Sequence, residues 1–134
     1  MIPTPPLVLI IDDDPEIVGI LAAALGGTNA VITAFDGLDG YALACRRRPA
    51  VILLDVMMPI VDGWTVLRKL RTNPATSHAC VVVVTAAEPE VVRREGAKHQ
   101  VFAVIHKPID VPELRKIVAQ AIHGTGPAEV VSKG

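Results

Sequence analysis

Five side chains that can do chemistry stand just past apolar runs in this sequence. Asp12 and Asp13 follow Leu7–Ile11, Asp55 follows Val51–Leu54, Thr85 follows Cys80–Val84, and Lys107 lies just beyond Val101–Ile105. Three carboxylates within a few ångströms repel, and at neutral pH one of them keeps a proton unless a cation intervenes. A divalent ion answers that. Mg²⁺ takes oxygen ligands, keeps several waters, and is commonly held by one or two carboxylates plus phosphate oxygens. The Lys107 ammonium can pair with a carboxylate or neutralise a phosphoryl group. The Thr85 hydroxyl can donate to a phosphoryl oxygen. This inventory fits phosphoryl transfer to a carboxylate. Asp55, alone on its run, is the candidate nucleophile, because aspartyl phosphates are an established covalent species. Asp14 reads as a helix cap in front of Pro15 rather than as a ligand.

These residues meet only if the apolar runs are strands of one sheet. Leu7–Ile11, Ala30–Ala34, Val51–Leu54, Cys80–Val84 and Val101–Ile105 are short, rich in β-branched residues and continuous, as strands buried on both faces are. Helical spacing falls between them. Asp14-Pro15 opens a helix with Ile17, Ile20, Leu21, Ala24 and Leu25 in phase, closed by Gly26-Gly27. Asp36-Gly37 opens a second, with Leu38, Tyr41, Ala42 and Cys45 on one face. Asp62-Gly63 leads into a third through Trp64–Arg71. Glu88–Glu95 is a short fourth, closed by Gly96. Asp110–Ile122 is a fifth, with Leu114, Ile117, Val118 and Ala121 inward. Five strand–helix repeats imply an α/β fold, a doubly wound parallel sheet with helices on both faces. Ligands of such sheets bind beyond the carboxyl ends of the strands, where all five residues stand.

Composition sets the bounds. The chain has 134 residues, enough for one domain, with 51% hydrophobic residues and a mean hydropathy of +0.45, which excludes a disordered chain. Residues 1–123 read as the domain and 124–134 as a flexible tail or linker stub. Aromatics are only 3%, so the core is aliphatic. The net charge of −1 gives no basic face for nucleic acid. It conceals an asymmetry: residues 1–45 hold six acids and no Lys or Arg, whereas all thirteen bases follow. Cys45 and Cys80 have no metal or redox spacing and read as buried reduced thiols. Apolar runs such as Ala79–Val84 are far too short to span a membrane, and no basic residues precede the first run as in a secretory signal. The expectation is a cytoplasmic protein that binds neither membrane nor nucleic acid.

Four stretches together resemble the receiver domain of bacterial two-component response regulators: Val8–Glu16 with its Asp12-Asp13 pair, Ile52–Trp64 around Asp55, Val82–Ala86 around Thr85, and His106–Pro108. They run in the family's order over nearly all of Leu7–Ile122. The resemblance implies a flavodoxin-like (βα)5 sheet in the order 2-1-3-4-5. It implies Asp55 as phospho-acceptor, with Mg²⁺ or Mn²⁺ on Asp13, Asp55 and the Met57 backbone carbonyl and Asp12 helping through water. Thr85 becomes the switch hydroxyl and Lys107 the phosphate-binding lysine. Pro108 becomes a candidate for a cis peptide. The implied donor is a sensor histidine kinase or histidine phosphotransfer protein. The output is a downstream protein partner, and a homodimer is left open. Catalysis would be confined to the chain's own phosphorylation and dephosphorylation.

The sequence departs from the family at the position three before Lys107. Receivers usually carry Tyr or Phe there; this chain has Val104, so the family's coupling of threonine to a ring cannot run in its usual form. Phe102 would lie on the same strand face, one pair back. Met57 and Ala87, two beyond Asp55 and Thr85, cannot position an attacking water, which implies a phosphoryl group that is lost slowly. Two rival readings stand beside this one. A degenerate receiver would act only as a docking module. A haloacid-dehalogenase-like phosphatase would use Asp12 as nucleophile and Asp14 as acid, but it leaves Asp55 unexplained.

Overall fold

A computed structural model describes residues 4–124. Within it the chain alternates strictly: β1 (Leu7–Ile11), α1 (Pro15–Leu25), β2 (Ala30–Ala34), α2 (Gly37–Arg47), β3 (Val51–Leu54), α3 (Gly63–Thr72), β4 (Cys80–Thr85), α4 (Pro89–Lys98), β5 (Ala103–His106) and α5 (Val111–His123). All strand pairs are parallel and the order is β2-β1-β3-β4-β5, as anticipated. Asp14, Asp36, Asp62 and Asp110 each cap a helix by accepting from a backbone N–H one turn in. From 125 onward the chain, including nearly all of the expected tail, lies outside the described residues.

The sheet separates two aliphatic cores. Strand residues that alternate in sequence point to opposite sides. Leu9, Ile11, Ile52, Leu54, Val81 and Val83 pack with α2, α3 and α4. Val8, Ile10, Val51, Leu53, Val82 and Val84 pack with α1 and α5. Val8–Ile11 and Val51–Leu54 are wholly shielded from solvent, so β1 and β3 form the floor on which the acidic residues stand. No helix among the described residues is long and apolar enough to cross a membrane.

Several expected details are corrected. In α2 the buried residues are Gly37, Gly40 and Ala44, whereas Leu38 is 57% exposed and Ala42 is exposed as well. The reason is proximity. A Cβ at Gly40 would stand 2.6 Å from Ile11 Cδ1, so α2 lies against β1 on its small residues. In α1, Val18 is buried and Ile20 turns outward. The fourth helix does not stop at Gly96; it runs to Lys98 with Gly96 packed inside against Val101. Both cysteines are free but only half-buried. Phe102 does not share a face with Val104. It precedes β5, donates its N–H to Val81 O, and packs on the α1/α5 side, whereas Val104 packs on the other. Alternation holds only within the strand, and the strand begins at Ala103.

Gly63 opens α3 directly over the end of β3. A Cβ there would meet Asp55 O at 2.3 Å and Val56 Cα at 2.4 Å, both backbone atoms that cannot step aside. Gly63→Ala is therefore expected to destabilise the protein by about 1–3 kcal/mol in urea unfolding. Gly19→Ala, on the exposed side of α1 with nothing within 4 Å, is expected to stabilise it by about 0.5–1 kcal/mol. Equal effects at the two positions would refute the close approach at Gly63.

Candidate functional site

The sheet's winding reverses between β1 and β3. The residues after these strands are neighbours because Ile11 pairs with Leu54 and Asp55 N donates to Ile11 O. Asp12 and Asp55 thus stand side by side at a strand mouth, 1% and 5% exposed. Each carboxylate is oriented by the turn that follows it. Asp12 Oδ1 accepts from Asp14 N at 3.0 Å, and Asp55 Oδ1 accepts from Met57 N at 2.9 Å. The second oxygens face one cation: Lys107 Nζ donates to Asp12 Oδ2 and Asp55 Oδ2, both at 2.9 Å. Lys107 reaches them from the far side of β4, and its peptide bond to Pro108 is cis.

Burial pushes the Asp12 carboxyl above its ordinary range, against the pull of the Asp14 N–H and of Lys107. Burial also works to lower Lys107, but the hydrogen bonds and charges of Asp12 and Asp55 outweigh it and hold the ammonium above its ordinary value. Thr85 is fully buried beside this pair. Its hydroxyl accepts from Ala87 N at 3.2 Å, and its carbonyl accepts from Lys107 N. Asp13, which is exposed, completes an oxygen-only group. One carboxylate oxygen each from Asp12, Asp13 and Asp55 lies within 4.8 Å of the others, a donor set that suits a hard divalent cation.

A buried carboxylate pair, a shared ammonium and a hydroxyl therefore stand at the switch point of a doubly wound sheet. Residues 8–119 match the family model of the response regulator receiver domain. The chain belongs to that family. It is 42% identical to the response regulator PleD of Caulobacter vibrioides over 104 residues, which is 77% of this chain but 23% of PleD. It is 31% identical to the protein PilH of Pseudomonas aeruginosa over 118 residues, covering 87% of this chain and 98% of PilH. Among solved structures, the receiver domain of a Pseudomonas aeruginosa sensor histidine kinase, described with a magnesium ion in its active-site cleft, has the same fold. The TM-score is 0.81 at 23% identity, covering 90% of this chain and 99% of that one.

Within this receiver the structure gathers Asp12, Asp13, Asp55, Thr85 and Lys107 at one mouth. Of Met57 it shows the N–H on Asp55; the side chain is turned out and 60% exposed. Asp14 is spent as the cap of α1, accepting from Glu16 N. One contributor went unread in the sequence. Arg71 binds four backbone carbonyls, those of Ser77, Ala79, His99 and Gln100, and so ties α3 to the start of β4 and the end of α4. Nothing in its local sequence distinguishes it from an exposed basic residue in a last helical turn.

The receiver holds Lys107's proton more tightly folded than unfolded. The pairing therefore stabilises the fold at neutral pH and up to the ordinary lysine value of 10.5, and is lost as the pH rises beyond it. Lys107→Met leaves two buried carboxylates facing each other. It is expected to cost on the order of 3 kcal/mol at neutral pH without divalent ions. The loss shrinks at acid pH, where the carboxyls protonate. Urea unfolding across pH measures this; a pH-independent loss would refute the electrostatic origin.

Proposed function

We propose that this receiver takes a phosphoryl group onto Asp55 from a phosphohistidine on a sensor histidine kinase or histidine phosphotransfer protein, and that the modification changes its affinity for a downstream protein partner in the cytoplasm. The observation that carries the reading is the Lys107 ammonium suspended between the buried carboxylates of Asp12 and Asp55. A bond forms between an Asp55 carboxylate oxygen and phosphorus as the donor's nitrogen–phosphorus bond breaks, and the imidazole keeps the electron pair and takes up a proton. Lys107 exchanges its contact with the Asp55 carboxylate for the incoming phosphoryl oxygens. Thr85, released from Ala87 N, donates its hydroxyl to another. Asp12, Asp13, Asp55 and the Met57 carbonyl would hold Mg²⁺ or Mn²⁺; when bound, the ion supplies positive charge that offsets carboxylate repulsion and phosphoryl charge. The relatives named above, and the magnesium described in the kinase receiver, support this assignment. Catalysis by the chain is limited to its own phosphorylation and dephosphorylation.

Acetyl phosphate, read by intact mass, tests it. One phosphoryl group is expected with Mg²⁺, and none with a chelator or in Asp55→Asn. Asp13→Asn, relieved of one repelling charge, is expected to melt higher than the parent in ion-free buffer and to lose the stabilisation Mg²⁺ gives the parent. Phosphatase turnover that survives Asp55→Asn would transfer the chemistry to Asp12. An NMR spectrum unmoved by beryllofluoride and Mg²⁺ would leave only a docking module.

The flanking residues bear on lifetime. Met57 and Ala87 are apolar, and neither can orient water toward a phosphoryl group on Asp55. The aspartyl phosphate is expected to decay slowly after removal of acetyl phosphate, and a half-life of a few seconds would contradict this.

A further inference from the structure

Phe35, Leu38 and Ile60 are 49%, 57% and 100% exposed, and all three line one cleft of about 390 Å³ between the β2–α2 and β3–α3 loops. Single exposed hydrophobics are ordinary, but a concave cluster of them marks a binding surface. Ile60 is the most telling. Its φ of 69° lies in the left-handed region, which suits Gly or Asn and disfavours a β-branched side chain. The chain thus keeps a fully exposed Ile where both backbone and solvent oppose it, as strained residues at contact sites do.

The cleft's rim is acidic. Asp13, Asp36 and Asp39 line it and are exposed, in a region of the sequence that has six acids and no Lys or Arg through residue 45. Asp13 also belongs to the three-carboxylate cluster, so whatever sits in the cleft borders the phosphoryl-accepting mouth. We infer that the cleft docks an amphipathic helix of the downstream partner, with an apolar stripe seated on Phe35, Leu38 and Ile60 and Lys or Arg flanking it over the acidic rim. This occupant rests on the partner invoked under Proposed function, but its binding needs no phosphoryl group, so the two can fail separately.

The probe is a fluorescent helical peptide of Leu at alternating three- and four-residue spacing with Lys on its flanks, titrated into the whole chain and read by anisotropy. Leu38→Gln with Ile60→Asn is expected to weaken binding by roughly tenfold or more. Asp39→Asn is expected to weaken it and flatten its salt dependence. Val91→Gln, an exposed position on α4 away from the cleft, serves as control and is expected to change it less than about twofold. All these positions are exposed, and circular dichroism checks that the variants fold. Unchanged binding by the Leu38/Ile60 double variant, or equal binding of a peptide with Glu in place of Lys, would overturn the proposal. So would a parent chain whose self-association in sedimentation is abolished by the same two substitutions, since the occupant would then be a second copy.

Discussion

Two carboxylates shielded from water at adjacent strand ends are tolerable only because one ammonium reaches both. Lys107 Nζ stands 2.9 Å from Asp12 and from Asp55, and its side chain is only 16% exposed. Removing charged groups from water costs more than an isolated ion pair returns, so such an arrangement is poor evidence of a need for stability. It is better understood as a site held short of electrical balance. One cation faces two buried anions and an exposed third, Asp13, and the remaining negative charge is what a divalent ion would offset. On the proposed function, the same imbalance would make the Asp55 carboxylate available, since its contact with Lys107 could pass to incoming phosphoryl oxygens.

Placing the three groups together demands tight registration of the sheet. Asp12 and Asp55 are adjacent because β1 and β3 pair through to Ile11 and Leu54. Lys107 must cross β4 to reach them. Glycines set the helices that hem in this mouth: Gly40 lets α2 rest on Ile11, and Gly63 lets α3 begin against the Asp55 carbonyl. Site and core therefore share their constraints, and a methyl group added at Gly63 presses on the backbone that carries Asp55.

The strands are legible because continuous apolar runs of four or five residues have few other uses, with the chemistry-bearing residues at or just beyond their ends, whereas their order in the sheet comes from the resemblance. The faces of the helices were less legible. Leu38 is expected on the buried side of α2 and is exposed; Gly37, Gly40 and Ala44 hold that side with Tyr41 packed at its edge, because a helix pressed close to a strand selects for small volume rather than hydrophobicity. Gly96 looked like a helix end and is an interior packing position. Phe102 falls on the opposite side from Val104 because β5 begins only at Ala103, two residues after the apolar run does. Arg71's part was invisible, since its four acceptors are main-chain carbonyls distant in sequence.

Gly96, Phe102 and Arg71 all lie in or beside α4 and its junction with β5. With Val104 buried on the α2–α4 side and Phe102 on the other, no Tyr or Phe on β5 lies next to Thr85, whose register partner there is His106. What links Thr85 to α4 is its hydroxyl's hold on Ala87 N, two residues before the helix begins. The opposite end of α4 is anchored by Arg71 through the carbonyls of His99 and Gln100, the latter held at a positive φ of 54°. α4 is thus held at its C-terminal end by Arg71, in its first turn by the buried Val92, and at its approach by one hydroxyl. If Thr85 turned its hydroxyl to a phosphoryl group, Ala87 N would lose that acceptor, and the segment leading into α4 would lose its side-chain tie to the site. On the proposed function, a link between site and surface would start at the main chain, at the Ala87 N–H that Thr85 holds.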